Sequence, residues 1–509
     1  MSQPSSGPRP GTAPLAEAVL AVARRDIASF HALPLSHGGS LRNSPFREVY
    51  ESLFGTAQLA ADVSYSGTML DSFFRPRGPL RAAQRLAAES FGADTTLFLS
   101  AGTTTANRVA LSTLVGPGSR VLTDRSCHQS VHFALGDIGA RTDYVPMRRC
   151  CDECPRTFAD LGQLLEMFGR AVADGQAYDA VVLSAVSYDG VRYDLPTLLS
   201  ALAQMYPSVS VLIDEAWGAG HRFHPRLREL TALHTLQQLR ATDASLPMRV
   251  AVTHSAHKSM SALRQGSYLH LVGDEELQEQ ATQALFRHHT TSPSWPVLAS
   301  LDLARLQSAT EGEALLDRAL HLAQTLRTEI ETDARLSAYR LLGPEGHLGD
   351  PRLLVSDDPT RVLVSIAELG ITAADFRRIL FDDYALYVAR ESGDAVVFHL
   401  HIGVDEATLL RLLDALRTIQ RTYRSTSAAL AGGTSDRFII AYPPGIPIAV
   451  PGEQLCDRTR DQLAALRTSG CEIYTLQNAP HASAGTPQLA TAAAGPATST
   501  ASTATNGTE

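Results

Sequence analysis

The chain has 509 residues, of which 44% are hydrophobic and 19% are charged, as is typical of a soluble globular protein. Its net charge is −9 and its basic residues form no block, so we expect neither a nucleic-acid partner nor binding to an anionic membrane. No apolar run is long enough to span a membrane, and the N-terminus lacks the pattern of a secretion signal, which together predict a cytoplasmic protein.

Both ends of the chain have low complexity. Residues 1–14 are rich in Pro, Ser and Gly, and about the last thirty residues are mostly Ala, Thr, Ser and Gly. Such segments bury too little apolar surface to offset the entropy of ordering. We therefore divide the chain into a partly disordered arm (1–30), a large domain (31–310), a small α+β domain (311–478) and a disordered tail (479–509).

Amphipathic stretches alternate with short apolar runs between about residues 80 and 310. The runs are TLFLS (96–100), RVLTD (120–124), AVVLSAV (180–186), SVLIDEA (210–216) and VAVTHSA (250–256). Such runs between helical segments are typical of a parallel sheet covered on both faces. The pattern predicts an α/β fold whose ligand site lies beyond the carboxyl ends of the strands.

A cysteine cluster between residues 150 and 154 contains a C-x2-C spacing, formed by Cys151 and Cys154. This pair could be half of a zinc site, but no second Cys or His pair follows at the spacing of a zinc finger. We therefore interpret the cluster as a solvated loop of reduced thiols and predict no metal site.

Only one lysine, Lys258, stands among 43 arginines. Because an arginine side chain is effectively never deprotonated, any chemistry that needs a neutral side-chain amine must use Lys258. The lysine follows the run VAVTHSA, which predicts burial, and burial lowers the pKa of a lysine and favours a Schiff base with an aldehyde. The alternatives are a codon bias towards arginine and a solvated surface charge.

Pyridoxal phosphate is the aldehyde cofactor that uses such a lysine. It needs a carboxylate at its ring nitrogen, and hydroxyls with a helix N-terminus for its phosphate. Asp214 ends the run SVLID, and Gly102–Thr105 joins the run TLFLS to the next helical segment, either as a phosphate loop or only as a helix cap. Each signal is weak alone, and their order along the chain strengthens them.

The sequence resembles the Orn/Lys/Arg decarboxylase family of fold type I pyridoxal-phosphate enzymes from about residue 30 to residue 475. The resemblance is carried, in chain order, by PRGPLRAAQRLAAESFGAD, SAGTTTANRVAL, VLTDRSCHQSV, SYDGVRYDL, LIDEAWGAGHRFHP, HSAHKSMSALRQGS, HHTTSPSW and YPPGIPIAVPGE. It implies an aspartate aminotransferase-like large domain with a mostly parallel sheet and a smaller α+β C-terminal domain. The implied activity is decarboxylation of arginine, lysine or ornithine to an amine and CO2, as in polyamine biosynthesis.

The resemblance also implies which residues bind the cofactor. Lys258 would form the Schiff base and Asp214 would pair with the ring nitrogen, while His128 and Ala216 would pack on opposite faces of the ring. The residues implied to bind the phosphate are Thr103, Thr104 and Ser255, together with Thr291 or Ser292 from the neighbouring subunit. The resemblance therefore implies a homodimer with shared active sites.

On the substrate side, the resemblance implies that His257 assists protonation and that Glu453 helps to define the pocket. Arg75 and Arg77 stand where an acidic residue is usual, and positive charge there would disfavour a cationic substrate. Alternatively, these arginines face solvent or an acidic neighbour. Ala101 and Val186 also replace the usual Asn and Pro.

These departures keep another function open: a pyridoxal-phosphate enzyme of the same fold recruited to transamination, elimination or aldol-type chemistry on an amino acid in a specialised pathway. A non-catalytic relative is a third possibility, which the intact set of site residues disfavours. The N-terminal wing domain of the acid-induced members has no counterpart before the first matching segment, which favours a dimer or small oligomer.

Several other residues have a structural interpretation. We expect Trp217 to be structural and Tyr188 and Asp189 to shape a turn near the cofactor. Four histidines with metal-like spacing are interpreted as pocket walls or loop residues: His221, His224, His288 and His289.

Overall fold

The computed structural model describes residues 11–64, 67, 69–150, 154, 156–343, 354–388, 390–430, 435, 437–442, 446–454, 459 and 472–476. The strands are β1 (Thr95–Leu99), β2 (Arg120–Asp124), β3 (Arg141–Val145), β4 (Met147–Arg149), β5 (Thr157–Ala159), β6 (Ala180–Ser184), β7 (Val191–Tyr193), β8 (Ser210–Asp214), β9 (Arg249–His254), β10 (Ser267–Val272), β11 (Arg340–Leu341), β12 (Val355–Asp357), β13 (Arg361–Ser365), β14 (Arg390–Ser392), β15 (Ala395–His399), β16 (Phe438–Tyr442), β17 (Ile446–Ala449) and β18 (Glu472–Leu476). The α-helices are α1 (Pro14–Ala23), α2 (Arg47–Phe54), α3 (Thr56–Ala61), α4 (Pro79–Phe91), α5 (Gly102–Leu114), α6 (Gln129–Ile138), α7 (Leu161–Ala173), α8 (Leu195–Met205), α9 (Ala232–Thr242), α10 (Ala256–Ser259), α11 (Glu275–His288), α12 (Trp295–Thr332), α13 (Ala373–Tyr384) and α14 (Glu406–Leu430).

A seven-stranded sheet forms the centre of the larger part of the molecule. Its strand order is β1-β10-β9-β8-β6-β2-β3. β10 is antiparallel to both of its neighbours, and the other six strands run in one direction. Every residue of β6 and β8 is buried, as a strand covered on both faces requires. The predicted α/β fold with a mostly parallel sheet is confirmed.

The sheet brings three chain segments to one edge. β8 and β9 are neighbours in register, with Asp214 opposite Thr253, and the chain runs from the end of β9 into α10, which carries Lys258. α5 begins at the same edge, after β1. Parallel strands present their carboxyl ends together, so Asp214, Lys258 and the start of α5 converge there.

A second core lies beneath a four-stranded antiparallel sheet of order β11-β13-β15-β14. Helices α13 and α14 contribute to this core, and so does the second half of α12 through Leu322, Leu326 and Ile330. The first half of α12 packs in the core of the seven-stranded sheet, through Trp295 and Leu298. The proposed boundary at residue 310 therefore falls inside one continuous helix.

The chain after the boundary also returns to the larger sheet region. β12 pairs antiparallel with β7, which follows the turn at residues 187–190. Arg361 at the start of β13 donates from Nη1 to the carbonyl oxygens of Ser187 and Tyr188, at 2.7 and 2.9 Å. The two parts of the molecule are thus joined at this turn, which adjoins the strand ends.

The N-terminal arm is anchored by α1. Leu15 is fully buried, and the carboxylate of Asp302 in α12 accepts hydrogen bonds from the backbone N–H groups of Leu15 and Ala16, at 2.9 and 3.5 Å. Asp302 also accepts from Arg305 Nη2 at 2.9 Å, and both side chains are buried. Residues 1–10 and the proposed tail at 479–509 lie outside the described residues.

The cysteine cluster is not the solvated loop that the sequence suggested. Cys150 and Cys154 are buried beside the β4–β5 hairpin, where Arg156 Nε donates to Cys154 Sγ at 3.3 Å. A hydrogen bond from Cys150 lowers the pKa of Cys154 to about 5. Cys151 lies outside the described residues. The hairpin contributes Phe158 and Ala159 to the core, which explains why the neighbouring thiols are buried.

None of the helices in the described ranges combines the length and the apolar composition that a membrane span needs.

Candidate active site

A cavity of about 580 Å³ lies at the edge where the strand ends converge. Its wall contains eight of the residues predicted for the site: Thr103, Thr104, His128, Asp214, Ala216, Ser255, His257 and Lys258. The two strand ends and the helix start that the sequence pointed to therefore share one cavity.

Asp214 holds its carboxylate in a defined position at the end of β8. The side chain is buried; Oδ1 accepts from the Ala216 N–H at 3.1 Å, and Oδ2 accepts from Asn107 Nδ2 at 2.9 Å. A buried carboxylate with both oxygens hydrogen-bonded has a fixed orientation. This arrangement fits a group that pairs with a protonated ring nitrogen.

The start of α5 is suited to an anion. Thr103 Oγ1 lies 2.5 Å from Ser255 Oγ, so two predicted phosphate ligands from different elements are in contact. Gly102 has a φ of +77° and donates its N–H to the Gln265 carbonyl, which fixes where the helix starts. The cap position is Ala101, and no described side chain caps the helix, so its first turn presents N–H groups that can donate to an anion. Residues 102–105 form this first turn rather than a loop before it.

Lys258 contacts an aromatic ring. Its Nζ lies 4.1 Å from the centroid of the Trp217 ring, and Arg361 Cζ lies 4.4 Å from the same centroid. Burial lowers the pKa of Lys258; the charge of Asp214 opposes this shift, and that of Arg361 adds to it. A lowered pKa increases the fraction of neutral amine, the form that attacks an aldehyde. Trp217 was expected to be structural rather than catalytic, and its contact with Lys258 was not predicted.

The two cavity histidines have different hydrogen-bond partners. His128 caps α6, and its Nδ1 accepts from the Ser130 N–H at 3.2 Å. His257 Nδ1 instead lies 3.1 Å from the Gly266 carbonyl oxygen, to which it can only donate. Burial lowers the pKa of His257. His257 therefore carries its proton on Nδ1 when it is neutral.

Five of the predicted site residues lie elsewhere in this single chain: Thr291, Ser292, Arg75, Arg77 and Glu453. All five are exposed, and none lines the cavity. Arg75 Nη2 is 3.5 Å from Glu279, which matches the alternative of an acidic neighbour. Glu453 accepts from the Val450 N–H at 3.1 Å. The proposed roles of these residues stay predictions.

Several cavity residues were not predicted: Asn107, Ser126, Ser184, Ser187, Arg264, Gln265 and Arg390. Asn107 had a usable signal, because it is four residues after Thr103 and so shares a face of the predicted helix. Arg390 had none, since it comes from β14. Tyr188 also lines the cavity, and Arg390 Cζ lies 4.7 Å from its ring centroid. The turn predicted at Tyr188 and Asp189 is present.

The four histidines interpreted as pocket walls or loop residues do not line the cavity. His221 Nδ1 accepts from Arg192 and His224 Nε2 pairs with Asp317, while the other two, His288 and His289, bond Ser112 and the Ser100 N–H. Across the ranges that the structure describes, no group of three or more His, Cys, Asp or Glu residues is placed to hold a metal ion.

Comparison with known proteins identifies the family. A sequence model described as "Orn/Lys/Arg decarboxylase, major domain" matches residues 13–354. The chain belongs to the Orn/Lys/Arg decarboxylase family. The arginine decarboxylase of Bacillus anthracis is 28% identical over 507 residues, covering 91% of this chain and 96% of that enzyme. The lysine decarboxylase LdcA of Pseudomonas aeruginosa is 31% identical over 305 residues, covering 57% of this chain and 39% of that enzyme.

Solved structures of decarboxylases share the fold. The lysine decarboxylase LdcF of Francisella novicida aligns with a TM-score of 0.70 at 18% identity, covering 90% of this chain and 78% of that chain. The constitutive lysine decarboxylase of Escherichia coli aligns with a TM-score of 0.65 at 21% identity, with the same coverage. The implied fold type is confirmed.

As a member of this family, the chain is a carboxy-lyase that depends on pyridoxal phosphate. Its cavity fits pyridoxal phosphate, because three requirements of the cofactor are met within one wall. A buried carboxylate is held by Asn107, a hydroxyl pair adjoins the start of α5, and the lysine amine lies in the same cavity. Lys258, Asp214 and the Thr103–Ser255 pair are the residues that would hold the cofactor.

Proposed function

We propose that this enzyme decarboxylates a basic amino acid, with arginine as the first substrate to test, and that it works as a homodimer with shared active sites. The observation that carries the proposal is the convergence of Lys258, Asp214 and the start of α5 in one cavity. Relatives named arginine decarboxylase that align over most of the chain support the choice of arginine.

When bound, pyridoxal phosphate supplies a ring that takes up the electrons released as the bond to the carboxylate breaks. The side chains of the protein would hold the cofactor and protonate the substrate carbon. Asp214 keeps a negative charge at the ring nitrogen, and Lys258 supplies the amine that anchors the cofactor. His257 has its Nδ1 bonded to the Gly266 carbonyl, so its Nε2 would take up a proton from solvent and deliver it to the substrate carbon that has lost CO2.

One observation favours a second candidate, a decarboxylase for an amino acid whose side chain is uncharged or acidic. Arg264 and Arg390 line the cavity, and among the described lining residues Asp214 is the only carboxylate. Since Asp214 is assigned to the cofactor, the described part of the cavity wall offers no counter-charge to a cationic substrate side chain. For a basic substrate, the partner subunit or residues beyond the described ranges would have to supply one.

The test is CO2 release from a panel of amino acids that contains arginine, lysine, ornithine, glutamate, aspartate and neutral amino acids, with the mass of each product. Release from a basic amino acid supports the first proposal. Release only from acidic or neutral ones supports the second candidate, and consumption without CO2 would point to another reaction on the same fold.

Lys258→Arg is the matched control, because arginine keeps the positive charge and cannot form a Schiff base. We expect no CO2 release from this variant and no cofactor trapped on the chain by borohydride. Turnover by Lys258→Arg would refute the assignment of Lys258.

The dimer proposal draws on two sets of exposed residues. No residue of α2 is buried; Val49 and Leu53 are 64% and 73% exposed, and Phe46 before the helix is 65% exposed. An exposed apolar helix face of this kind is typical of an interaction surface. Thr291 and Ser292 are also exposed, as side chains that serve a neighbouring subunit would have to be.

A further inference from the structure

A hydrogen-bonded chain of polar side chains in and behind the cavity wall connects Asp214 with His128. Asn107 on α5 is at its centre and is 1% exposed. Its Nδ2 is 2.9 Å from Asp214 Oδ2 and 3.1 Å from Ser130 Oγ, and its Oδ1 is 2.7 Å from Thr253 Oγ1. Ser130 Oγ is in turn 2.9 Å from His128 Nδ1. Four elements, α5, α6, β8 and β9, meet in this one network.

The direction of each hydrogen bond follows from Asp214. A carboxylate only accepts, so the amide nitrogen of Asn107, rather than its oxygen, must face Asp214. The same NH2 group then donates its second proton to Ser130 Oγ. The amide oxygen is left to accept from the Thr253 hydroxyl, so both ends of the Asn107 amide are satisfied and its orientation is fixed.

The same logic fixes the proton of His128. The Ser130 backbone N–H donates to His128 Nδ1 at 3.2 Å, so Nδ1 must carry a lone pair. Ser130 Oγ, which is 2.9 Å from the same nitrogen, then donates its hydroxyl proton to Nδ1 while it accepts from Asn107. The proton of the neutral ring is therefore on Nε2.

We propose that Asn107 and Ser130 are positioning residues, which orient the Asp214 carboxylate and hold His128 in the tautomer that is protonated on Nε2. The two cavity histidines then differ in what their Nε2 atoms offer. His128 offers a donor, and His257, whose Nδ1 donates to the Gly266 carbonyl, offers an acceptor. Two histidines of the cavity wall therefore differ at the same ring atom, which carries an N–H in one and a lone pair in the other. This inference does not depend on which amino acid is the substrate.

The tautomers can be measured in the apoprotein by NMR with 15N-labelled histidine, at a pH where the rings are neutral. The His128 signal is the one missing from His128→Gln. We expect it to show a protonated Nε2, and we expect the His257 signal to show a protonated Nδ1. A His128 ring protonated on Nδ1 would overturn the proposal.

Ser130→Ala removes the hydroxyl donor, so the His128 signal should move towards a mixture of the two tautomers, and Ser130→Thr should restore it. Ser112→Ala is the matched control. It removes a hydroxyl on α5 that is 2.9 Å from His288 Nε2, outside the cavity. This control should change the His288 signal and leave that of His128 unchanged. An unchanged His128 signal in Ser130→Ala would refute the role of Ser130.

Asn107→Leu has a similar volume but cannot hydrogen-bond. We expect this variant to bind pyridoxal phosphate about ten- to a hundredfold more weakly, because Asp214 loses a charge-assisted hydrogen bond. Equilibrium dialysis measures the affinity without turnover, and circular dichroism checks the fold. Wild-type affinity in folded Asn107→Leu would refute the role of Asn107. If Asn107→Leu does not fold, the Ser130 pair still decides the proposal through the tautomer.

Discussion

The positive charge of Arg361 should lower the pKa of Lys258 by a measurable amount. The two cations lie 4.4 and 4.1 Å from the centroid of the same Trp217 ring, so at most about 8.5 Å separates them. At an effective dielectric constant of about 20, two like charges at that distance repel by about 2 kcal/mol. We therefore expect Arg361→Gln to raise the pKa of Lys258 in the apoprotein, because this repulsion of the protonated amine is lost.

The assay is unusually direct, because Lys258 is the only lysine of the chain. Labelling with lysine that carries 13C at Cε gives a single protein signal, and its shift with pH reports the pKa of Lys258. In the wild-type apoprotein we expect this pKa below the ordinary value of 10.5, since burial lowers it. Asp214→Asn should lower it further, because the opposing charge is lost.

Arg335→Gln is the control for a generic loss of charge. Arg335 is 69% exposed, and its partner is Asp333 in the same turn, so this variant should leave the Lys258 titration unchanged. The reasoning fails if Arg361→Gln, shown to be folded by circular dichroism, titrates like the wild type. It also fails if the wild-type signal titrates at or above 10.5.

Three further predictions concern stability and assembly. Burial lowers the pKa of His221 to about 3, so the unfolded chain takes up a proton that the folded chain does not, and stability falls as the pH drops from about 6.5 to 3. In urea unfolding at several pH values, His221→Gln should make this slope shallower by up to about 1.4 kcal/mol per pH unit, and an unchanged slope would contradict the assignment. Asp302→Ala leaves Arg305 buried without its carboxylate, so it should lower the free energy of unfolding by about 3–5 kcal/mol and speed proteolysis of the arm. Wild-type stability of this variant would show that the pair does not anchor α1. Leu53→Glu should weaken the dimer in light scattering without loss of fold, whereas a monomeric wild-type protein would count against the dimer itself.

The part of the fold that could be predicted from the sequence is the part where burial alone determines the pattern. β6 and β8 are buried throughout, so each appears as a continuous apolar run. β3 and β10 were not among the five apolar runs. β3 is an edge strand with polar, partly exposed residues. β10 is buried throughout, but Ser267, Tyr268 and His270 interrupt its apolar run, and the Tyr268 and His270 rings are in contact.

The part of the site that could be predicted is the part that lies at the ends of the buried strands. Asp214 and Lys258 were found because strand ends converge in a parallel sheet, whatever the loops do. Arg361 and Arg390 could not be found this way, because they lie on strands of the four-stranded sheet. Only tertiary packing brings Arg390 to the cavity and Arg361 to the Trp217 ring. The burial of Cys154 was also missed, because its neighbours in the sequence are polar and predict exposure. In the structure its thiol accepts from Arg156.

The continuity of α12 affects how the molecule can move. Its 38 residues supply apolar side chains to both cores, so one continuous helix, and not a loop, connects the two cores. Rotation of one core against the other would have to bend a helix and break its hydrogen bonds, which makes a free hinge at this junction unfavourable. Gly312 lies inside this helix although glycine lowers helix stability, and its missing Cβ lets Phe223 approach closely. We expect the two cores to melt together, as one cooperative unit.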